Sequence, residues 1–112
     1  MSERRGKYNA RPVDADGYHF DSTAEYNRYR ELCLFVKAGL ISNLEVHPRF
    51  EIVPKDTHGK ALHYEADFAY HYCPDNREVV EDVKGVKTGV YLLKKRLFLA
   101  RYPEREFVEI GG

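Results

Sequence analysis

The sequence predicts an α+β fold in which helices cover a mixed β-sheet. Ser22 is followed three residues later by Glu25, the capping-box arrangement that opens a helix. Residues 61–72 alternate between apolar and polar side chains, which is typical of a half-buried strand. Thr88 is a good helix N-cap and precedes a second segment with apolar residues at helical spacing. Strands that lie between two helices in chain order favour the α+β class.

Length and composition predict one globular domain. The chain of 112 residues is too short for two domains, so we assign 1–12 to an N-terminal arm and 13–112 to the domain. An apolar share of 43% with nine Tyr and six Phe excludes a largely disordered chain. No apolar run could cross a bilayer and no signal-peptide pattern opens the chain, so we expect a cytoplasmic protein without a membrane partner. Cys33 and Cys73 form no CxxC motif, which predicts reduced structural thiols.

The charge pattern restricts how the chain could attract nucleic acid. Its formal net charge is zero, so any attraction must come from local patches of positive charge. One such patch is the N-terminal arm, which carries Arg4, Arg5 and Lys7. The pattern fits a solvated tail as well as an arm that contacts phosphates.

The first half of the domain is predicted to hold a hairpin, a helix and an extended segment. The dipeptide Asp16-Gly17 between two short apolar runs indicates the hairpin. Apolar residues recur at roughly helical spacing after Ser22 until Gly39 ends the helix. These apolar residues are Ala24, Tyr29, Leu32, Val36 and Leu40. Residues 44–53 are extended in character.

The second half is predicted to hold two strands, a helix and a last strand. The strand over 61–72 places five residues on one face, namely Leu62, Tyr64, Ala66, Phe68 and Tyr70. The next strand runs from Glu78 to Lys84, and the last covers 106–110. The helix between them has apolar positions that include Val90, Leu93, Leu97 and Ala100, and it stops at Tyr102-Pro103.

Two acids and a lysine fall where neighbouring strands can bring them together. Asp82 and Lys84 are two residues apart on one strand, so their side chains project to the same face, roughly 6.6–7 Å apart. Asp67 lies on the preceding strand, and the fourteen residues between it and Asp82 allow a turn between antiparallel partners. Two facing carboxylates repel unless a cation lies between them, and oxygen ligands suit Mg²⁺ or Mn²⁺. Such a site could act on a phosphodiester. Lys84 would then orient the metal-bound water that attacks it, or neutralise the charge that builds up on its phosphorus atom.

The same spacing fits a second interpretation. Asp-x-Lys is a short and common string, so Asp82 and Lys84 could form a surface ion pair while Asp67 faces solvent. The valines around the motif favour an interior strand, where unpaired carboxylates are costly. For Glu25, the pattern alone favours a helix cap over a metal ligand. Glu81 points to the opposite face and is expected to pair with a basic side chain.

Glu25, Asp67 and Asp82-Val83-Lys84 resemble the core of the PD-(D/E)XK nuclease superfamily, which has an acid on a helix, an acid on one strand and Asp-x-Lys on the next. A wider string is similar to a small phage and prophage family of unknown function, described as Holliday-junction-resolvase-like endonucleases. This similarity runs from about Lys7 to Ile110. The segments that carry it are Lys7-Tyr8-Asn9-Ala10, Phe20-Asp21-Ser22, Tyr29-Arg30-Glu31-Leu32, His47-Pro48-Arg49-Phe50, Tyr64-Glu65-Ala66-Asp67-Phe68 and Val80-Glu81-Asp82-Val83-Lys84-Gly85.

The resemblance implies a restriction-endonuclease-like αβββαβ core and a nuclease that depends on Mg²⁺ or Mn²⁺ and needs no small-molecule cofactor. Asp67 and Asp82 would be metal ligands, Lys84 the catalytic lysine, and Glu25 the helical acid that joins them. We therefore expect an endonuclease that cuts branched or junction DNA in a bacterial cell, encoded by a phage or prophage. A two-fold homodimer is a further hypothesis, because DNA offers two strands. A non-catalytic binding module with the nuclease fold, or a nuclease for plain duplex DNA or RNA, is the alternative.

Basic residues beside the proposed cleft are candidate phosphate contacts. Lys87, Lys94 and Lys95 could follow a nucleic-acid backbone, although a solvated helix face predicts the same charges. Arg49 follows Pro48 on the extended segment beside the cleft and is a further candidate. A Gln often found in the corresponding helix of related nucleases has no equivalent here, where Lys94 and Lys95 occupy that region.

Overall fold

A central β-sheet lies between two α-helices in the computed structural model, which describes residues 11–111. The predicted α+β class is confirmed. In chain order the elements are β1 (Val13–Ala15), β2 (Tyr18–Phe20), α1 (Thr23–Lys37), β3 (Ile41–Val46), β4 (Arg49–Val53), β5 (Leu62–Glu65), β6 (Phe68–Tyr72), β7 (Arg77–Lys84), α2 (Gly89–Arg101) and β8 (Glu106–Gly111).

The central sheet has the strand order β3-β6-β7-β8 and is mixed, as predicted. The strands β3, β6 and β7 pair in antiparallel fashion, whereas β8 runs parallel to β7. The helix α1 covers one face through Tyr29 and Leu32, and α2 covers the other face through Tyr91 and Phe98. Two apolar cores therefore form, one on each side of the sheet.

The strand β7 is an interior strand whose alternate residues enter different cores. Val79 packs in the core under α1, while Val80 packs in the core under α2. The valine pattern thus correctly predicted an interior strand. By the same alternation, Glu81 faces α1, and both Asp82 and Lys84 face α2.

The single strand predicted over 61–72 is wrong, because this segment forms β5 and β6 in two different sheets. The extended segment 44–53 is divided in the same way between β3 and β4. The strand β4 pairs with β5, and β3 pairs with β6. The two chain segments therefore form one long hairpin that bends sharply part-way along its length.

Backbone geometry explains the bend. His47 has a φ of +56°, which lies in the left-handed region that few residues with a side chain adopt. Its N–H donates to the Asp67 carbonyl at 2.9 Å, and the Ala66 N–H donates to the Pro48 carbonyl at 3.0 Å. These two bonds keep the two segments together through the bend. Pro48 has no N–H to continue a regular ladder, which favours a break here.

The helix α1 begins as the sequence predicts. Ser22 is its N-cap, and the Ser22 Oγ accepts a hydrogen bond of 3.1 Å from the Glu25 N–H. The helix ends at Lys37, and Gly39 follows with a φ of +77°, which suits glycine after a helix. Of the predicted apolar positions, Tyr29 and Leu32 are buried, but Val36 is exposed.

The helix α2 forms after Thr88 as predicted, but it is rotated relative to the predicted apolar face. The positions expected to be apolar and core-facing include Val90, Leu93 and Ala100, and all three are exposed. Tyr91 and Phe98 are buried instead, because their rings fill the space against other aromatic side chains of the sheets. Neither α1 nor α2, the helices of residues 11–111, is long and apolar enough to cross a membrane.

Candidate metal centre

Asp67 and Asp82 come together where β6 begins beside β7. The antiparallel register pairs Phe68 with Glu81, so the residues next to this pair, Asp67 and Asp82, are neighbours across the strands. The Asp67 N–H donates to the Glu81 carbonyl at 3.1 Å, and the Val83 N–H donates to Asp67 Oδ2 at 2.6 Å. The two carboxylates therefore meet as the strand geometry predicted.

Asp82 is buried, with only 1% of its surface exposed. Its Oδ2 accepts a hydrogen bond from the Tyr64 hydroxyl. Its Oδ1 accepts no hydrogen bond from the described residues, although Lys84 Nζ lies 3.2 Å away in a direction that does not meet hydrogen-bond geometry. Asp82 and Lys84 do form an ion pair, but it is not the surface pair that the spacing also allowed, because Asp82 is buried.

Lys84 connects the buried carboxylate with the surface. Its side chain is 31% exposed, and Nζ lies 4.6 Å from the centroid of the Tyr91 ring on α2. An ammonium above an aromatic face is attracted to the ring. The Tyr91 hydroxyl donates to Glu109 at 2.6 Å, which fixes the ring. Tyr91 thereby holds the Lys84 amine beside Asp82 while leaving it within reach of a bound molecule.

Glu25 caps α1 and also points into the centre. It is 4% exposed although it lies in the first helical turn. Its Oε1 accepts a 3.2 Å bond from the Asp21 N–H, so the capping box closes one residue before Ser22. Its Oε2 lies 2.7 Å from His47 Nε2. The cap predicted from pattern and the inward-facing acid expected from the resemblance are therefore the same side chain.

His47 is the residue of this centre that the sequence reasoning did not assign. Its ring nitrogen and carboxylate oxygens of Glu25 and Asp67 all lie within 4.8 Å of one another. The bend between β3 and β4 brings it there, and the bend was not predicted. The available signal was Pro48 between two extended runs, because a proline interrupts the ladder of a strand. The left-handed φ of His47 departs from the extended backbone that usually precedes a proline.

Like charges strongly perturb the Asp67 carboxyl group. Burial, followed by the charges of Asp82 and Glu25, raises the pKa of Asp67 to about 8. A positive ion at this point would remove that repulsion and favour the ionised form. The mutually close donors are the carboxylates of Glu25 and Asp67 and the His47 imidazole, which can bind a divalent cation. Asp82 lies beside Asp67 outside this group of three, and its Oδ1, which accepts no hydrogen bond from the described residues, is a further candidate ligand. The residues present therefore fit a divalent metal.

Glu81 lies on the other face of β7 and is fully buried. Arg28 of α1 donates to its two carboxylate oxygens at 2.8 and 2.7 Å, and the Tyr70 hydroxyl donates to it as well. The prediction that Glu81 pairs with a basic side chain is confirmed. This bidentate pair attaches α1 to β7 directly behind Asp82, where it supports the centre without facing it.

The candidate phosphate contacts are placed unequally. Arg49 is exposed on β4, and Lys94 is partly buried on α2. Lys87 and Lys95 each lie 3.1 Å from a carboxylate oxygen of Glu109 on β8. Two of the proposed cations are thus already paired with an acid of this chain. The remaining candidates, Arg4, Arg5 and Lys7, lie outside the described residues.

Comparison with known protein families gives one match. The profile of a family described as "Protein of unknown function (DUF1064)" matches residues 5–110. The chain belongs to the DUF1064 family. The span that the DUF1064 profile covers includes the whole candidate metal centre, from Glu25 to Lys84. No curated protein and no solved structure matches the chain.

Proposed function

We propose that this DUF1064 chain is a metal-dependent endonuclease that hydrolyses DNA phosphodiester bonds. The observation that carries the proposal is the convergence of Asp67, Asp82 and Lys84 at the start of β6 and the end of β7. The buried Asp82 Oδ1 has an ion pair with Lys84 but accepts no hydrogen bond from the described residues, so it can contact a bound ion as well. A divalent cation and a positively charged side chain can both stabilise the charge that develops during phosphodiester cleavage.

Each side chain has a distinct role in this proposal. Asp67 and Asp82 would hold Mg²⁺ or Mn²⁺, with Glu25 as a further ligand. When bound, the ion supplies positive charge that stabilises the charge developing on the phosphodiester. Tyr64 donates to one oxygen of Asp82 and so leaves the other free for the ion. Lys84 Nζ is partly exposed and can donate to a phosphate oxygen or to the attacking water.

The proposed substrate is branched or junction DNA, and this part of the proposal rests on the sequence resemblance. Exposed Arg49 and the lysines of α2 are the proposed phosphate contacts within the described residues. A homodimer would present two centres to the two strands of such a substrate. We place the activity in the bacterial cytoplasm, with a phage or prophage origin. Light scattering with and without junction DNA tests the dimer, and a monomer mass in both cases contradicts it.

A cleavage assay with end-labelled substrates tests the activity. We expect wild-type protein with Mg²⁺ or Mn²⁺ to cut four-way junctions faster than duplex DNA, single-stranded DNA or RNA, and not to cut with EDTA. The variants Asp82→Asn and Lys84→Ala should each lose about 100-fold or more in rate, since each removes a charge used in the transition state. Matched controls are Glu104→Gln and Lys60→Ala, which alter exposed residues of the same charge.

Two results would overturn the proposal. One is no cleavage of any substrate by wild-type protein, and the other is undiminished cleavage by both Asp82→Asn and Lys84→Ala. DNA binding without cleavage would instead favour a non-catalytic binding module with this fold. Preference for duplex DNA or RNA would keep the nuclease and correct its substrate.

A further inference from the structure

We propose that His47 is a direct ligand of the metal, so that the centre combines nitrogen and oxygen donors and selects Mn²⁺ over Mg²⁺. This inference rests on the proposed function, because it concerns the ion of the same centre. It adds a residue that the Asp67 and Asp82-Val83-Lys84 pattern does not contain. The geometry at the bend between β3 and β4 supports it.

The distances between ligand atoms agree with one shared ion. Neighbouring ligands of an octahedral ion with bonds of about 2.1 Å are about 3.0 Å apart, and opposite ligands are about 4.2 Å apart. His47 Nε2 and Glu25 Oε2 lie 2.7 Å apart, close to the spacing of neighbouring ligands. The atoms offered by Glu25, His47 and Asp67 are all within 4.8 Å of one another. These separations are of the size that ligands of one ion require.

The backbone holds His47 in this position by several contacts. Its left-handed φ of +56° is uncommon for a residue with a side chain and is found at functional sites more often than elsewhere. Its N–H donates to the Asp67 carbonyl at 2.9 Å, which ties the two proposed ligands together. Its ring packs against Phe20, with ring centroids 5.9 Å apart. The imidazole is therefore oriented before any ion binds.

A second observation at the same place points to a cation. Asp82 is 1% exposed, and its Oδ1 accepts no hydrogen bond from any of residues 11–111. This buried carboxylate is the neighbour of Asp67 across the strands β6 and β7. The contact of this oxygen is an ion pair with Lys84 Nζ at 3.2 Å, which leaves its hydrogen-bonding capacity unused. Because Asp82 is the neighbour of one member of the Glu25–His47–Asp67 cluster, we expect its Oδ1 to be available to the same cation.

The donor set predicts the preferred ion. Mg²⁺ binds oxygen ligands and retains water in preference to binding imidazole. Mn²⁺ also suits carboxylate ligands, but as a first-row transition-metal ion it binds an imidazole nitrogen more readily than Mg²⁺ does. His47 should therefore strengthen the binding of Mn²⁺ far more than that of Mg²⁺.

The first test is calorimetric titration of the full chain with MnCl₂ and with MgCl₂. We compare wild type with His47→Asn, because Asn is among the residues that best tolerate a left-handed φ. The Mn²⁺ affinity should fall about tenfold or more, and the Mg²⁺ affinity by less than about threefold. His71→Asn is the matched control, since His71 lies away from the centre and contacts Glu78. Equal losses for both ions, or none, would overturn the inference.

The second test needs no variant and stays informative if His47→Asn does not fold. Pulsed electron paramagnetic resonance of wild-type protein with bound Mn²⁺ should detect coupling to a histidine ¹⁴N, and ¹⁵N-histidine labelling should replace it with ¹⁵N coupling. A Mn²⁺ ion bound with oxygen ligands alone contradicts the role of His47 but leaves the nuclease proposal intact. Failure of wild type to bind either ion contradicts both proposals.

Discussion

Asp67 and Asp82 are the same type of residue in two different environments. The Tyr64 hydroxyl donates a hydrogen bond to Asp82. Burial, and to a smaller extent this hydrogen bond, raises the pKa of Tyr64, so the phenol stays protonated near neutral pH. Asp67 receives the Val83 N–H, but burial and the charges of Asp82 and Glu25 outweigh this bond and raise its pKa to about 8. The neighbours of each acid, rather than its type, set its charge.

The raised pKa of Asp67 predicts how the stability of the metal-free protein depends on pH. In the folded state the pKa of this carboxyl is about 8, against an ordinary value of 3.8. Its contribution to stability is therefore fully present below about pH 4 and is lost as the pH rises towards 8. The variant Asp67→Asn lacks this loss and should be more stable than wild type by roughly 1–3 kcal/mol at pH 8.5.

Urea unfolding in EDTA between pH 4 and pH 9 measures this difference. The gap in unfolding free energy between Asp67→Asn and wild type should widen from about pH 4 to about pH 8 and then level off. A gap that stays constant with pH would show that Asp67 titrates normally, which contradicts the crowding of charge described above. Asp75→Asn, at an exposed turn position, is the matched control.

At the scale of elements, the start of α1 and the bend of the long hairpin meet at the centre. Ser22 accepts from the Glu25 N–H, which begins the helix. The Glu25 carboxylate lies within hydrogen-bond distance, 2.7 Å, of His47 Nε2 at the bend. The helix supplies the acid and the hairpin bend supplies the histidine. A substitution that weakens the N-cap of α1 should therefore lower stability, whereas a substitution of the Glu25 carboxylate should lower metal affinity.

Two substitutions separate these roles of the α1 N-terminus. Ser22→Ala removes a cap and should cost about 1 kcal/mol of stability, with Mn²⁺ affinity within about threefold of wild type. Glu25→Gln keeps an oxygen that can accept from the Asp21 N–H but removes the charge. It should lower Mn²⁺ affinity about tenfold or more with a smaller loss of stability.

Thermal unfolding and calorimetry of the same two preparations provide the comparison. If Ser22→Ala weakens Mn²⁺ binding as much as Glu25→Gln does, Glu25 acts through the helix start alone. If Glu25→Gln leaves Mn²⁺ affinity unchanged, Glu25 is a cap and not a ligand.

At the scale of the whole molecule, the zero net charge conceals an uneven arrangement of cations. Glu109 of β8 lies within 3.1 Å of both Lys87 and Lys95 and accepts a bond from the Tyr91 hydroxyl. The hydrogen bonds from Tyr91, Lys87 and Lys95 lower the pKa of Glu109 to about 2, so it remains charged at every working pH. Glu109 therefore holds two lysines that would otherwise be available for phosphates.

Glu109→Gln should accordingly strengthen binding of DNA. Release of two lysines adds up to two phosphate contacts, so the slope of log affinity against log salt concentration should steepen by up to about 2. Affinity at low salt should rise by about threefold to tenfold. Fluorescence anisotropy in the Asp82→Asn background measures this without cleavage. Glu104→Gln is the matched control, and an unchanged slope for Glu109→Gln contradicts the prediction.

Much of the architecture follows from local rules along the chain. Capping residues Ser22 and Thr88 were sufficient to locate both helix starts, because capping involves only residues within one turn. The alternation of side chains along a strand was sufficient to place Asp82 and Lys84 on one face and Glu81 on the other. The neighbouring position of Asp67 followed from the short connection between two strands.

Other features depend on contacts between residues that are far apart in the chain, and no local pattern contains them. The alternation over 61–72 continues across the bend, so only the pairing with His47 and Pro48 reveals that two strands are present. The rotation of α2 follows from the aromatic side chains that it packs against. The parallel pairing of β8 with β7 places Glu109 where it can pair with Lys87 and Lys95. The sequence by itself determined the helices, the α+β class and the facing acids, because each depends on short-range geometry. Only the tertiary structure decided that His47 joins the metal centre, because it takes the bend of a long hairpin and the start of a helix to bring His47 to Glu25.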